Sequence, residues 1–533
     1  QIIAIKEKLV MSRLTDISHR SQSLLVLFML SIGLSAKVII PHHQQDDTAG
    51  IMSPAYWNFW NDDEQARIDR DIQRYRQAEA VIFHENLEVG TTVKIEQLDH
   101  AFYFGASMFN YNQLGTPSCN QRYRELWGTL FNSATVPFYW KTFEMQPGRP
   151  RFREEYWDTE QYWNTQESPK LQPHWRRPAP DPMVDYCLSR GLRVHGHPLI
   201  WGNRKWHHPD WIETFLLDST ERKVMNELLI EEATLNNYKD GDVFSETYHQ
   251  LTPRQLAERL PKMTERINRL FRERIACIAN YYGDRISSWD VVNESSADYA
   301  RGYFKSQEPL TKSVYGIMPG DYVFAAFDEA AQHFSKNVKL NINDYDTNQT
   351  YADWVKELLK RGARIDVVGS QMHLFNPKQC SDIAEGKELM TPTHVRAIME
   401  RLSTPGLPLH LSEITITSPS QDERGLITQA IIARNLYRLW FSQPAMEGIT
   451  WWNVVDDCGA PGEPSFSGLF TRDMQPKPAY YALEELIHHE WMTRTQARVQ
   501  QKGKICFRGF KGKYRLTWKD KKGKRQEMIY TLK

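Results

Sequence analysis

Two apolar runs in the sequence end in a glutamate. The first, SSWDVVNESS (Ser287 to Ser296), leads from Trp289, Val291 and Val292 into Asn293-Glu294. The second, LPLHLSEITI (Leu407 to Ile416), carries Glu413 near its end. Such runs read as buried strands, and a buried carboxylate is costly unless it is paired or used. The plain reading is a strand end whose polar residues reach solvent. Opposed across a Trp-lined cleft, however, two glutamates suit glycoside hydrolysis. One protonates the leaving oxygen and the other attacks the anomeric carbon. Their environments must then split their pKa values, because the acid has to stay protonated while the nucleophile stays ionised. The chain has 17 Trp, and 12% of its residues are aromatic. Trp clusters often line carbohydrate sites, although core packing is the commoner use of any single Trp.

The same kind of strand end recurs along the chain. Eight apolar candidates lie at His100 to Met108, Ala134 to Trp140, Leu192 to Trp201, Ile286 to Glu294, Val338 to Tyr345, Ile365 to Leu374, Leu407 to Ile416 and Gly448 to Asp456. Helical segments separate them, among them Thr252 to Tyr282 (interrupted at Pro261), Pro319 to Phe334, Tyr351 to Gly362, Pro392 to Leu402 and Arg424 to Phe441. Strands alternating with helices imply a parallel sheet with covered faces, and eight such units predict an α/β fold of the (β/α)8 TIM-barrel type. An open doubly wound sheet is the alternative, weakened by the lack of a Gly-rich phosphate loop after the first strand. In a barrel, the C-terminal strand ends build the site. They would bring together His197 and Trp201, Asn293 and Glu294, Asp344 and Tyr345, Gln371 and His373, Glu413, and Trp452 and Asp456.

The chain has 533 residues, 41% hydrophobic, with a formal net charge of +0. There is no basic excess to mark a nucleic-acid partner. Met11 is the expected start of a signal peptide over 11–36, with Arg13 and Arg20 ahead of the apolar run Ser23 to Ala36. A short uncleaved anchor is the alternative. Residues 37–60 read as a polar linker and 61–99 as an N-terminal helix, capped by Asn61, with a β-flank. The barrel is expected over 100–490. Strands over 500–533 follow, where Tyr514, Leu516 and Trp518 alternate with polar residues before a KDKKGK turn. This tail is too short to fold alone. It is expected to pair with the N-terminal flank in a small β-subdomain. Six scattered cysteines form no CxxC, so no metal site is indicated, and no cofactor is expected.

At the level of motifs the chain resembles glycoside hydrolase family 10, the retaining β-1,4-xylanases, from about Ala101 to Leu486. WDVVNE matches the family's acid/base strand nearly letter for letter. GHPLIWG (Gly196 to Gly202), NDYD (Asn343 to Asp346), GSQMHL (Gly369 to Leu374), LHLSEITI, ITWWNVVDD (Ile449 to Asp457) and QPKPAYYAL (Gln475 to Leu483) resemble its other signatures. The resemblance implies Glu294 as acid/base and Glu413 as nucleophile. It implies that Asn293 bonds the sugar 2-hydroxyl, that His197 and Trp201 hold the same sugar, and that Trp452 covers it. Tyr345 and Gln371 would line the site, and His373 would hold the nucleophile. The family's ENxMKW is absent; TVPFYWKTFEMQPG (Thr135 to Gly148) stands there, with Lys141 in place of the Lys. Thr415 occupies a usual Asp position, which takes a negative charge from beside His373, and Gly202 replaces a usual His.

Two insertions fit a rebuilt cleft on the non-reducing side: Tyr156 to Trp175, which offers Trp157, Trp163 and Trp175, and Leu217 to Gln250. The resemblance implies a secreted or periplasmic, monomeric hydrolase of xylan-type polysaccharide, with no nucleic-acid partner and no membrane association once the signal is removed. A retaining hydrolase of another or substituted β-glycan, and a non-catalytic glycan-binding barrel, are the alternatives; the presence of both glutamates tells against the second.

Overall fold

The N-terminal flank opens with a charged helix, Asp62–Arg76, capped by the Asn61 side chain, which accepts from the Glu64 amide at 3.0 Å. Acids fill its first turn and Arg74 and Arg76 its last, in line with the helix dipole. This computed structural model describes residues 39–209, 211–212, 217–230 and 244–533. The expected signal peptide over 11–36 lies outside the described residues. Strands β1 (Gln77–Phe83) and β2 (Thr92–His100) follow the helix.

The barrel strands are β3 (Tyr103–Ser107), β4 (Ser133–Pro137), β5 (Arg193–His197) with the short β6 (Ile200–Trp201), and β7 (Ser288–Asn293). A hairpin of β8 (Leu310–Ser313) and β9 (Gly316–Pro319) comes next, and then β10 (Lys339–Asp344), β11 (Val367–Leu374), β12 (Leu409–Ile416) and β13 (Met446–Trp451). The parallel order β3-β4-β5-β7-β10-β11-β12-β13 closes through β13–β3, so each of the eight sequence candidates supplies one barrel strand. β12 is buried along its whole length. Strands covered on both faces read as continuous apolar runs, which is why these eight were visible in the sequence.

The C-terminal strands are β14 (Arg494–Arg498), β15 (Lys504–Phe510), β16 (Gly512–Lys519) and β17 (Arg525–Leu532). β15 pairs antiparallel with β1, and the sheet β14-β2-β16-β17 joins both ends of the chain. Tyr514, Leu516 and Trp518 point to one face and bury against Val93, Ile95 and Phe507. The barrel therefore carries a small β-subdomain built from its N- and C-terminal flanks. β1 and β2 do not pair with each other; each takes a C-terminal partner.

Residues 41–60 are not a linker. The buried Asp47 carboxylate accepts from the Ile51 and Met52 amides and from the Trp57 indole, at 2.7, 2.8 and 3.1 Å. Ser53 caps the helix Pro54–Phe59. Tyr56, Trp57 and Trp60 are buried, and the Tyr56 hydroxyl accepts from Asn435 on the helix Glu423–Phe441. A few aromatic anchors in a polar stretch are enough to dock it. All six cysteines are free thiols. Among the described residues, no helix is long and apolar enough to cross a membrane.

Candidate active site

β7 delivers its acid through a strained turn. Asn293 ends the strand, and Glu294 follows with a φ of 57° while its amide donates to the Asn343 carbonyl at 2.8 Å. A left-handed non-glycine residue is uncommon and persists only when its surroundings hold it. Asp344, at the end of β10, does the holding. Its carboxylate accepts from the Ser295 and Ser296 amides, the Ser296 hydroxyl and the Asp346 amide, at 2.8, 2.9, 2.9 and 3.0 Å. Full burial outweighs these donors and pushes the Asp344 carboxyl up to about 6.

The Glu294 carboxyl has four neighbours. Asn293 and Gln371 amides lie 3.3 and 3.1 Å from Oε1, and the Trp201 indole and the Tyr315 hydroxyl each donate to Oε2 at 3.0 Å. Burial first, and then the negative charges of Glu413 and Asp344, push it up to about 7. A carboxyl held there is poised to give a proton near neutrality.

Glu413, buried on β12, meets donors instead. Asn343 Nδ2 donates to Oε1 at 2.8 Å, and His373 Nε2 lies 3.2 Å from Oε2. His197 Nε2 is 3.7 Å from Oε1. Burial alone would discourage charge on His197, but Glu413 and the Asp290 carboxylate, 2.7 Å from Nδ1, outweigh it and raise the imidazole above its usual range. His195 sits on the same Asp290 oxygen at 2.9 Å. One glutamate is thus surrounded so as to keep a proton, and the other sits beside a group inclined to carry positive charge.

His197, Trp201, Asn293, Glu294, Gln371, His373, Glu413 and Trp452 line one cavity of about 410 Å³. Trp452 is buried, with its ring 5.4 Å from that of His197 and 6.0 Å from that of His373. Four of the sequence candidates lie outside this lining: Asp344, which holds the turn, Asp456, which pairs with Lys477 at 2.9 Å, and Tyr345 and Lys141. Tyr345 falls one residue past the end of β10 and is 54% exposed, outside this lining. Lys141, in the short helix Trp140–Phe143, lines an adjoining cavity of about 660 Å³. His373 Nδ1 lies 2.8 Å from the Thr415 hydroxyl, so a neutral group stands beside it at the position where the resembled family usually has Asp.

Several residues were missed from sequence. Asn343 bridges the two halves of the site, donating to Asn293 Oδ1 at 2.9 Å as well as to Glu413. Its signal was the NDYD motif itself. Tyr315 comes from the β8–β9 hairpin, which carries no motif. The only trace of it is Gly202, where a Cβ would sit 2.6 Å from the Tyr315 ring. The ring occupies the room that a side chain at 202 would need. Of the three loop tryptophans expected as sugar platforms, Trp163 is buried against His174 with rings 4.7 Å apart and serves the loop's own packing. Trp175 borders the larger cavity.

The model of Glycosyl hydrolase family 10 matches residues 96–486. Endo-1,4-beta-xylanase A of Thermoanaerobacterium saccharolyticum is 25% identical over 313 residues, covering 57% of this chain and 22% of that protein. Exoglucanase XynX of Acetivibrio thermocellus is also 25% identical over 313 residues, covering 57% of this chain and 24% of the other. The chain thus spans about a quarter of the length of these two relatives or less. Native xylanase 10B from Thermotoga maritima superposes with a TM-score of 0.49 at 21% identity, covering 73% of this chain and 96% of that one.

Proposed function

The chain belongs to glycosyl hydrolase family 10, and from that membership we propose that it hydrolyses a β-1,4-linked xylan-type polysaccharide by double displacement. The opposed environments of Glu294 and Glu413 within one cavity carry the reading. Glu294 gives its proton to the glycosidic oxygen as that bond breaks, and Glu413 bonds the anomeric carbon. Glu294, now ionised, takes a proton from water, whose oxygen displaces Glu413 and releases the sugar. Asn293, His197, Trp201 and Gln371 hold the reacting sugar, Trp452 covers it, and Asn343 and His373 position the nucleophile. The names of the xylanase relatives support the substrate class. The apolar run Ser23 to Ala36 supports export as a secreted or periplasmic enzyme.

Two inversions in sequence leave net retention. Proton NMR of the first product from a purified β-1,4-xylo-oligosaccharide is expected to show the β-anomer before mutarotation. The α-anomer as first product would refute the double displacement.

The pH dependence follows from Glu294. Its proton is present below about pH 7 and lost above it, so kcat/KM is expected to fall on an alkaline limb near that value. The Tyr315 hydroxyl favours the ionised form by donating to it. Tyr315→Phe removes that help, so the limb is expected to move up by as much as about one pH unit. A pH profile of the variant showing a downward move would contradict the assignment.

A further inference from the structure

The larger cavity continues from the smaller one, since Arg176, Arg177, Lys205, Trp206, Ala460 and Pro461 line both. Its walls add Lys141 and Lys170, and no Asp or Glu lines it. A sugar-binding groove needs aromatic faces and hydroxyl partners, and Trp175, Trp206 and Trp211 provide faces here. It does not need five cationic side chains.

Not all of that charge is spent inside the protein. Lys170 pairs with Asp457 at 2.6 Å, and Arg176 reaches Asn453 at 3.0 Å and Glu463 at 3.5 Å. Arg177 is different. Its guanidinium lies over the Tyr139 ring at 3.7 Å and donates to the Arg176 carbonyl at 2.9 Å, with no carboxylate partner among the described residues. Lys205 rests over Trp206 at 4.5 Å and likewise has no carboxylate partner among the described residues. Burial draws Arg177 down to about 10. Lys205 is exposed and Arg177 half-buried, and neither forms an ion pair among the described residues, so both stay able to take an anion from a ligand.

Resting on the glycosidase reading, we propose that this annex binds an anionic substituent of the glycan, a uronate carboxylate or a sulfate ester, between Arg177 and Lys205. The carboxylates of the smaller cavity set the direction. The ionised Glu413 and Glu463 line it beside the protonated Glu294, so an anionic group is repelled from the reacting centre and attracted one step out, to the annex. A guanidinium offers paired N–H donors to a planar or tetrahedral oxyanion, and the neighbouring indole faces take the sugar ring that carries it. The preferred substrate is then an acidic, decorated chain rather than a bare one.

The test uses the full chain with Glu413→Ala, so that binding is read without turnover. Calorimetry compares a neutral xylo-oligosaccharide with the same backbone carrying one glucuronate, and with one carrying one sulfate. At least one acidic ligand is expected to bind about ten-fold more tightly than the neutral one. The advantage should shrink in 0.5 M salt, because exposed charge pairs are screened. Lys205→Gln and Arg177→Gln, each added to that background, should reduce the advantage, and Arg177→Lys should restore part of it. Preference for the glucuronate identifies a carboxylate, and preference for the sulfate identifies a sulfate ester; either supports the annex. Equal or weaker binding of both acidic ligands, with the neutral one bound, overturns the annex and leaves the glycosidase reading standing. Binding of none of the three, with no hydrolysis of any by wild type, overturns both.

Discussion

Glu413→Ala abolishes turnover of every glycoside, activated or not, because no group remains to bond the anomeric carbon. Loss of a covalent nucleophile typically costs about 10⁵-fold or more. Glu294→Ala behaves differently. On polymer it loses about 10²–10⁴-fold, the usual worth of general acid–base catalysis. On an aryl glycoside with a good leaving group the first step survives, since the departing oxygen needs no proton. The glycosyl-enzyme then accumulates, and azide, which attacks without a base, speeds its breakdown and yields a β-glycosyl azide. Rates on the two substrate types, with and without azide, check both variants. Wild-type rates for Glu413→Ala on an aryl glycoside would reverse the roles given to the two residues.

Asp344→Ala is expected to be nearly as damaging, although the residue touches no substrate. Its carboxylate is the common acceptor for two amides and a hydroxyl in the turn that holds Glu294 at positive φ, and for the Asp346 amide on its own side. Unpaired buried donors cost about 1–3 kcal/mol each, so the turn relaxes and the acid moves. A displacement of about 1 Å can cost 10²-fold in rate, and a loss of at least about 10²-fold in kcat/KM is expected. Denaturant unfolding should show about 3 kcal/mol of lost stability. Asp344→Asn keeps an acceptor and should lose less of both. The sign with pH is fixed by the raised pKa. Burial lifts Asp344 to about 6, so its contribution to stability is complete below the ordinary carboxylate range and is lost as pH rises through about 6. The stability gap between wild type and Asp344→Asn should therefore move in favour of the Asn variant between pH 4 and 7. Unfolding curves at several pH values that run parallel for the two proteins would contradict this.

The parts of the protein that were legible in sequence share a physical reason. Eight strands buried on both faces leave apolar runs long enough to stand out, and the barrel's geometry then assigns their C-terminal ends to one site. Hence His197, Trp201, Asn293, Glu294, Gln371, His373, Glu413 and Trp452 meet in one cavity. Tyr345 departs because it follows the strand and escapes its alternation. Tyr315, Arg176 and Arg177 were illegible because they stand on connections, where no periodicity says which way a side chain faces. Trp163 is among the rings the insertion offers to the cleft, yet the loop keeps that ring for its own interior. The linker expected over 37–60 rests on average polarity, whereas from residue 41 on a buried Asp47 and three aromatic rings determine the structure.

The pairing of the two flanks has a consequence for how the chain is made. Gln77 of β1 lies opposite Phe510 of β15, and His100 of β2 opposite Gly512 of β16. During synthesis β1 and β2 leave the ribosome long before their partners exist, so the barrel between them must take shape with both strands' hydrogen-bonding edges uncovered. Pairings of such sequence separation form slowly, and open strand edges are templates for association with other chains. The interval between translating residue 100 and residue 532 is therefore the period in which this protein is most exposed to aggregation, and a holdase that occupies the edges of β1 and β2 would raise its yield most when elongation is slow.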